Sequence, residues 1–360
     1  MRIVSLLKIS QIVSANKDKS HLYRIKLLFP FWLRRFIFSS FNPLYTFYKK
    51  KNQNYTINYP SMHPMAIDFI CYSLTENIHF DTTEYYPDND VPTIIEYIDN
   101  RIKSVLSYPS QKMNENQFKT QLHNESLSKK VKKHGYYYSL LHEEIQYEFS
   151  NIAEVATFDH HYGLKRLPEI TQKYINGKDF LDIGAAEGDT AIMLLQYNPR
   201  KVFAYEPVAK TYQKLLVNSK LWKDKIVAVK KGIGDEETTM EININPTNEG
   251  ANTVKKNLSI GFSRKKIEKI DIITIDKECK DRNIGLIKMD IEGFEYYAVK
   301  GGLETIKRDK PVLFISIYHT GKDFFEIPPL LKSHVPEYKF RMIDNNPTHP
   351  IAEWVLIAYI

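Results

Sequence analysis

Cysteine is scarce: Cys71 and Cys279 are the two in 360 residues, far apart and without ligand-like spacing. A disulfide framework or a cysteine-held metal cluster is excluded, and a reducing compartment fits. Long apolar runs are lacking too. The uncharged stretch Phe36–Tyr48 is too short to span a bilayer and is broken by Asn42-Pro43. The apolar segment after Arg2 ends at Lys8, so no secretory signal is read there. Acid is nearly missing from the first 60 residues, where eleven Lys and Arg face Asp18 alone. That leader carries +10 of a chain total of +7, leaving the rest at −3. The basic balance therefore belongs to the leader and implies no nucleic-acid partner.

Hydrophobic residues make up 43% of the chain and aromatics 13%, enough for a sizeable core. The length exceeds one typical domain, so an α/β domain with additional structure is expected. Three zones are read. Residues 1–58 form a basic, aromatic leader, whose segment 22–51 can lie on an anionic membrane face or form a helical extension. Residues 59–150 read as a mainly helical accessory region. There Ile94, Ile95, Ile98, Ile102, Val105 and Leu106 recur at helical spacing, and a polar connector follows from Ser110 to His134. Tyr136–Tyr138 reads as packing surface.

From about residue 151, short β-branched runs alternate with helix-length segments: Phe180–Ile183, Val202–Tyr205, Ile226–Val229, Ile284–Met289, Val312–Tyr318 and Trp354–Tyr359. This alternation predicts βαβ units and a mainly parallel sheet. Thr239–Ile244 and Ile270–Ile275 suggest an inserted antiparallel pair, and Tyr338–Ile343 with Trp354–Tyr359 a terminal hairpin.

The most informative segment is Phe180-Leu-Asp-Ile-Gly-Ala-Ala-Glu-Gly-Asp-Thr190, a buried strand feeding a small-residue loop and then an apolar helix start. Small residues let a backbone approach a ligand, and a helix N-terminus faces an anion. Asp182 is placed to accept from an ammonium group. Glu206 ends the next strand 24 residues later, where an acid suits two ribose hydroxyls. A dinucleotide pattern counted from Gly184 needs glycine at 186 and 189, but Ala186 and Asp189 stand there. The order Asp182-x-Gly184-x-Ala186-x-Gly188 favours a methyl donor.

With Tyr205-Glu-Pro207, Ile272-Ile-Thr-Ile-Asp276 and above all Leu286-Ile-Lys-Met-Asp-Ile-Glu-Gly-Phe-Glu295, the chain from about Phe158 onward resembles the FkbM family of methyltransferases. The resemblance covers roughly 200 of 360 residues and leaves 1–150 untouched. It implies a Rossmann-like seven-stranded sheet, S-adenosylmethionine as donor, and transfer to a hydroxyl oxygen of a sugar or secondary metabolite. The donor-binding candidates are Asp182, Gly184, Ala185, Gly188, Glu206 and Asp290.

Strands ending at Asp290 and near His319 open on the same cleft in a parallel sheet. His319 is the candidate base, because an unperturbed imidazole titrates near neutrality. Asp290 and Glu292 are placed to position the acceptor. The set Asp290, Glu292, Glu295 and His319 also has metal-ligand character, but spacing alone assigns no metal. Glu295 reads as a first-turn helix acid, Asp276 as part of the inserted pair's edge, and Asp235 as a turn residue. Lys288 faces cleft or solvent. His160 and His161 read as solvent-facing loop residues. The expected activity is O-methylation of a saccharide or glycan intermediate in the cytoplasm, with possible contact to the inner membrane face. The rival readings are a nicotinamide-dependent oxidoreductase and a non-catalytic glycan- or membrane-binding module.

Overall fold

The computed structural model describes residues 56–360 except 61–62, 77, 79, 107, 109, 131, 135–136, 143–144, 150–160, 246–251 and 255–265. Segment 22–51, read as membrane-surface or helical extension, lies outside the described residues, as do Tyr136 and His160, and the side chains of Tyr137 and Tyr138 are not described. No described helix is long and apolar enough to cross a membrane.

Seven strands form the central sheet. Its first strand in sequence that concerns the site, here β4, is Asp179–Ile183, and every residue in it is buried. Three strands precede it as an antiparallel meander: β1 (Lys132–His134), β2 (Tyr137–His142) and β3 (Ile145–Phe149). After β4 come β5 (Val202–Tyr205), β6 (Ile226–Val229), β7 (Gly232–Ile233), β8 (Thr238–Ile244), β9 (Lys266–Ile273), β10 (Ile284–Met289), β11 (Val312–Ser316), β12 (Lys339–Asp344) and β13 (Trp354–Tyr359). The sheet order is β12-β13-β11-β10-β4-β5-β6, with β13 antiparallel to both its neighbours. The other pairings are parallel. The chain moves outward from β4 through β5 and β6, then returns to its other side with β10. A crevice opens above the carboxyl ends of β4 and β10, where the order reverses. The central strands β4, β5, β10 and β11 are buried on both faces, which explains their near-continuous apolar runs.

The inserted pair is present as β8 and β9, antiparallel over Thr238–Ile244, with β9 also parallel to β7. The terminal hairpin is present as β12 and β13.

The N-terminal helices are α1 (Pro64–Thr75), α2 (Val91–Val105) and α3 (Glu115–Lys130). The face that α2 buries differs from the apolar spacing. Ile94, Tyr97, Asn100, Arg101 and Ser104 are buried, whereas Ile95 and Leu106 are 38% and 42% exposed. Helix α2 docks through an aromatic stack and carbonyl hydrogen bonds, which a count of apolar residues does not register. Tyr97 stacks on Phe324 at 4.7 Å and donates through Oη to Ile317 O at 3.1 Å. Phe69, Tyr86, Ile94 and Tyr97 share one core with Ile287, Phe324 and Trp354, so these described helices pack into the core of the sheet.

The polar connector contains the helix α3. Asn114 N–H donates to Gln117 Oε1 at 3.0 Å and Gln117 N–H to Asn114 Oδ1 at 2.9 Å, a reciprocal capping box. The i,i+4 pairs Glu115–Lys119 and Gln121–Glu125 add support. Capping and side-chain pairing can sustain a helix with little apolar stripe.

Candidate active site

The chain turns sharply where β4 ends. Gly184 has φ +78°, Ala186 +45° and Gly188 +91°. A Cβ on Gly184 would stand 1.9 Å from Asp290 O, so the ends of β4 and β10 touch through backbone. Gly184 and Ala185 N–H groups both donate to Tyr205 O, at 3.0 and 2.9 Å. These bonds bind the turn to β5 and fix where Glu206 begins.

Above the turn lies an open cleft lined by the ends of β4, β5 and β10. Gly184, Ala186 and Glu206 form part of its lining, with Asp290 and Glu292 as its acidic wall. Val208, Ile233, Ile270 and Ile272 make the facing wall apolar. Glu206 is buried and its Oε1 accepts from Val208 N–H at 2.8 Å. Burial pushes its carboxyl up to about 8 against the pull of the Val208 and Ala186 N–H groups.

Three of the expected donor-binding residues stand behind this lining. Asp182 is fully buried, with Oδ1 3.1 Å from Lys288 Nζ, directly across the strand pair. Lys288 Nζ also donates to Gly184 O at 2.9 Å. Burial alone would lower the Lys288 pKa, but Asp182, then Asp290 and Asp189, hold it above its ordinary value. Asp182 thus positions a lysine that grips the turn, in place of the direct ammonium contact read from its strand-end location. Lys288 itself faces neither solvent nor open cleft. Ala185 packs in the core, and a Cβ on Gly188 would meet Leu215 Cδ1 at 2.6 Å. Both shape the helix entry from behind.

His319 requires the largest correction. It is fully buried, with Nδ1 2.9 Å from Glu295 Oε1 and Nε2 3.5 Å from both Asp290 Oδ1 and Glu292 Oε2. Burial alone would lower its pKa, but Glu295 and Glu292 raise it well above the ordinary value. Without a cation the imidazole holds its proton, so the premise of an unperturbed base fails. Glu295 is more than a first-turn acid. Its Oε1 accepts from Ile291 N–H at 2.8 Å and its Oε2 from Gly293 N–H at 2.9 Å. Burial would push its carboxyl up, yet His319 and the Ile291 N–H hold it below the usual range.

The turn carrying Glu292 is braced from the insertion. Glu292 takes φ +56°, and Thr253 Oγ1 donates to its carbonyl at 2.6 Å. Glu353, with φ +68°, borders the same group; burial and the charge of Asp290 push its carboxyl up to about 7. Neither Thr253 nor Glu353 belongs to a recognisable motif. Asp276 lies in the short helix Ile275–Glu278 and accepts from Thr305 N–H at 2.7 Å, at the start of the helix Leu303–Asp309 instead of edging the inserted pair. Asp235 pairs with Lys300 at 3.0 Å. His161 is buried, its Nδ1 2.7 Å from Tyr197 Oη, contrary to a solvent-facing loop.

Strand order and crevice together define a Rossmann-like methyltransferase fold. Residues 182–342 match the family model of the methyltransferase FkbM domain. A methyltransferase FkbM from Methylobacillus flagellatus KT is similar at 19% identity and a TM-score of 0.48. That likeness covers 76% of this chain but 56% of the other, so this chain spans little more than half its length. The Pyrococcus abyssi tRNA (uracil-54, C5)-methyltransferase, in complex with S-adenosyl-L-homocysteine, is similar at 10% identity and a TM-score of 0.36, covering 63% of this chain and 44% of that one. The T. thermophilus 16S rRNA N2 G1207 methyltransferase, in complex with AdoMet and guanosine, is similar at 13% identity and a TM-score of 0.35, covering 62% and 49%. No curated protein matches the chain.

Proposed function

We propose that the chain is an S-adenosylmethionine-dependent O-methyltransferase acting on a hydroxyl of a saccharide or glycan intermediate. The observation that carries this reading is one cleft lined together by Gly184, Glu206, Asp290 and Glu292. S-adenosylmethionine, when bound, supplies an electrophilic methyl group on a sulfonium. Glu206 accepts from ribose hydroxyls, Gly184 and Ala186 allow close backbone approach, and the apolar wall takes a flat base. Asp290 and Glu292 line the cleft and are the groups available to orient an acceptor hydroxyl and take its proton. A nicotinamide cofactor fits less well, because its pyrophosphate needs the glycine pattern interrupted at Ala186 and Asp189.

Transfer of labelled methyl from S-adenosylmethionine to a panel of saccharides tests the reading. A base-stable methyl ether is expected. Label on an amine, or turnover of NAD in its place, would contradict it.

The raised Glu206 pKa gives a pH signature. A neutral carboxyl accepts poorly from ribose, so donor affinity should rise about tenfold between pH 7 and pH 9, as Glu206 ionises through about 8. Glu206→Gln should flatten that rise. The sign reverses for the unliganded fold. The native carboxyl keeps its proton longer than the unfolded one, so Glu206 contributes stability that declines as pH rises from 4.5 to about 8. Affinity independent of pH in the wild type would sink this role for Glu206.

A further inference from the structure

Three carboxylates, Asp290, Glu292 and Glu295, converge on the single imidazole of His319. Asp290 and Glu292 line the end of the cleft, with His319 behind them. We propose that Asp290, Glu292 and His319 form a binding site for one divalent first-row cation.

Four features support the assignment. One ligand atom from each of the three residues lies within 4.8 Å of the others. Donors about 2.1 Å from a common ion stand roughly 3 to 4.2 Å apart, and His319 Nε2 is 3.5 Å from each carboxylate oxygen. His319 is fully buried, and its Nε2 has no hydrogen-bond partner where it points between Asp290 and Glu292. On the other side of the ring, Glu295 lies 2.9 Å from Nδ1 and is itself fixed by two backbone N–H groups. A carboxylate there favours the proton on Nδ1 and leaves the Nε2 lone pair for a metal, the usual support of a ligating histidine. Glu295 is thus a positioning residue outside the ligand set.

One imidazole and two carboxylates suit Mn²⁺ or Zn²⁺ better than Mg²⁺, which prefers oxygen alone. Asp290 and Glu292 line the cleft, so the remaining coordination positions face it. An acceptor oxygen placed there would lose its proton more readily. That consequence rests on the proposed transfer reaction; the cation site does not.

The test is titration of the chelator-treated full chain with Mn²⁺, reading free ion by electron paramagnetic resonance. One saturable Mn²⁺ per chain is expected, weakened at least tenfold in both Glu292→Gln and His319→Gln. Thermal melts of each variant check folding, and Glu292→Gln, at the cleft wall, is the variant least exposed to misfolding. Asp235→Asn, whose carboxylate pairs with Lys300 outside the ligand set, should bind as the wild type does. Absence of saturable binding at millimolar Mn²⁺ and Zn²⁺, or binding unchanged in a folded Glu292→Gln, would overturn the site. Donor titration in chelator, run separately, distinguishes that failure from failure of the methyltransferase reading.

Discussion

Gly184→Ala is expected to abolish binding of the methyl donor and to cost about 3 kcal/mol or more of stability. Two effects combine. The residue sits at φ +78°, where a side chain is strained, and its new Cβ would stand 1.9 Å from Asp290 O. Backbone cannot yield as a side-chain tip does, so the ends of β4 and β10 must separate. Separation would move Glu206 through the Tyr205 hydrogen bonds and Asp290 directly. Gly177→Ala is the matched control, with φ +74° but nothing within 4 Å of its added Cβ. It should cost about 1 kcal/mol and leave donor binding intact. Urea unfolding and calorimetric titration of both variants check this. Equal losses would show that backbone strain, not contact between strand ends, governs the turn.

Arg101→Leu should destabilise the fold by about 3 kcal/mol and slow turnover without touching the cleft. Arg101 is fully buried, and its Nη2 donates to Tyr318 O at 2.8 Å and Ile351 O at 3.1 Å. Its guanidinium lies 3.5 Å from the Tyr97 ring centroid. Burial pulls its pKa down to about 10, a measure of desolvation that opposes the gain. Charged hydrogen bonds contribute about 1.5–3 kcal/mol each, and leucine would leave two carbonyls unsatisfied, so the loss should dominate. Tyr318 immediately precedes His319, which is how α2 reaches the acidic wall. Stability within 0.5 kcal/mol of wild type, on the order of a neutral surface change, would mean that desolvation cancels the bonds.

The sheet was legible because its central strands are buried on both faces and read as apolar runs. The inserted and terminal hairpins followed from alternation. Helix α3 was not legible, since Asn114 and Gln117 cap it without an apolar stripe to announce it. In the site, Gly184 and Glu206 were readable because short-range spacing places them. The charge states were not, because they arise from register. Asp182 meets Lys288 only when β4 pairs with β10. His319 lies among carboxylates that a different strand end supplies, which no reading of Ser316–His319 alone contains. Arg101 drew no reading from the sequence, because its partners are carbonyls more than 200 residues away.

The central claim is that this cleft binds the methyl donor through Glu206. Calorimetric titration with S-adenosylmethionine and S-adenosylhomocysteine, in wild type and Glu206→Ala, with NAD alongside, tests it most directly. Saturable binding of both compounds by wild type, at least tenfold weaker in Glu206→Ala and absent for NAD, is the predicted result. Failure of wild type to bind either compound, above all with binding of NAD, would contradict the account.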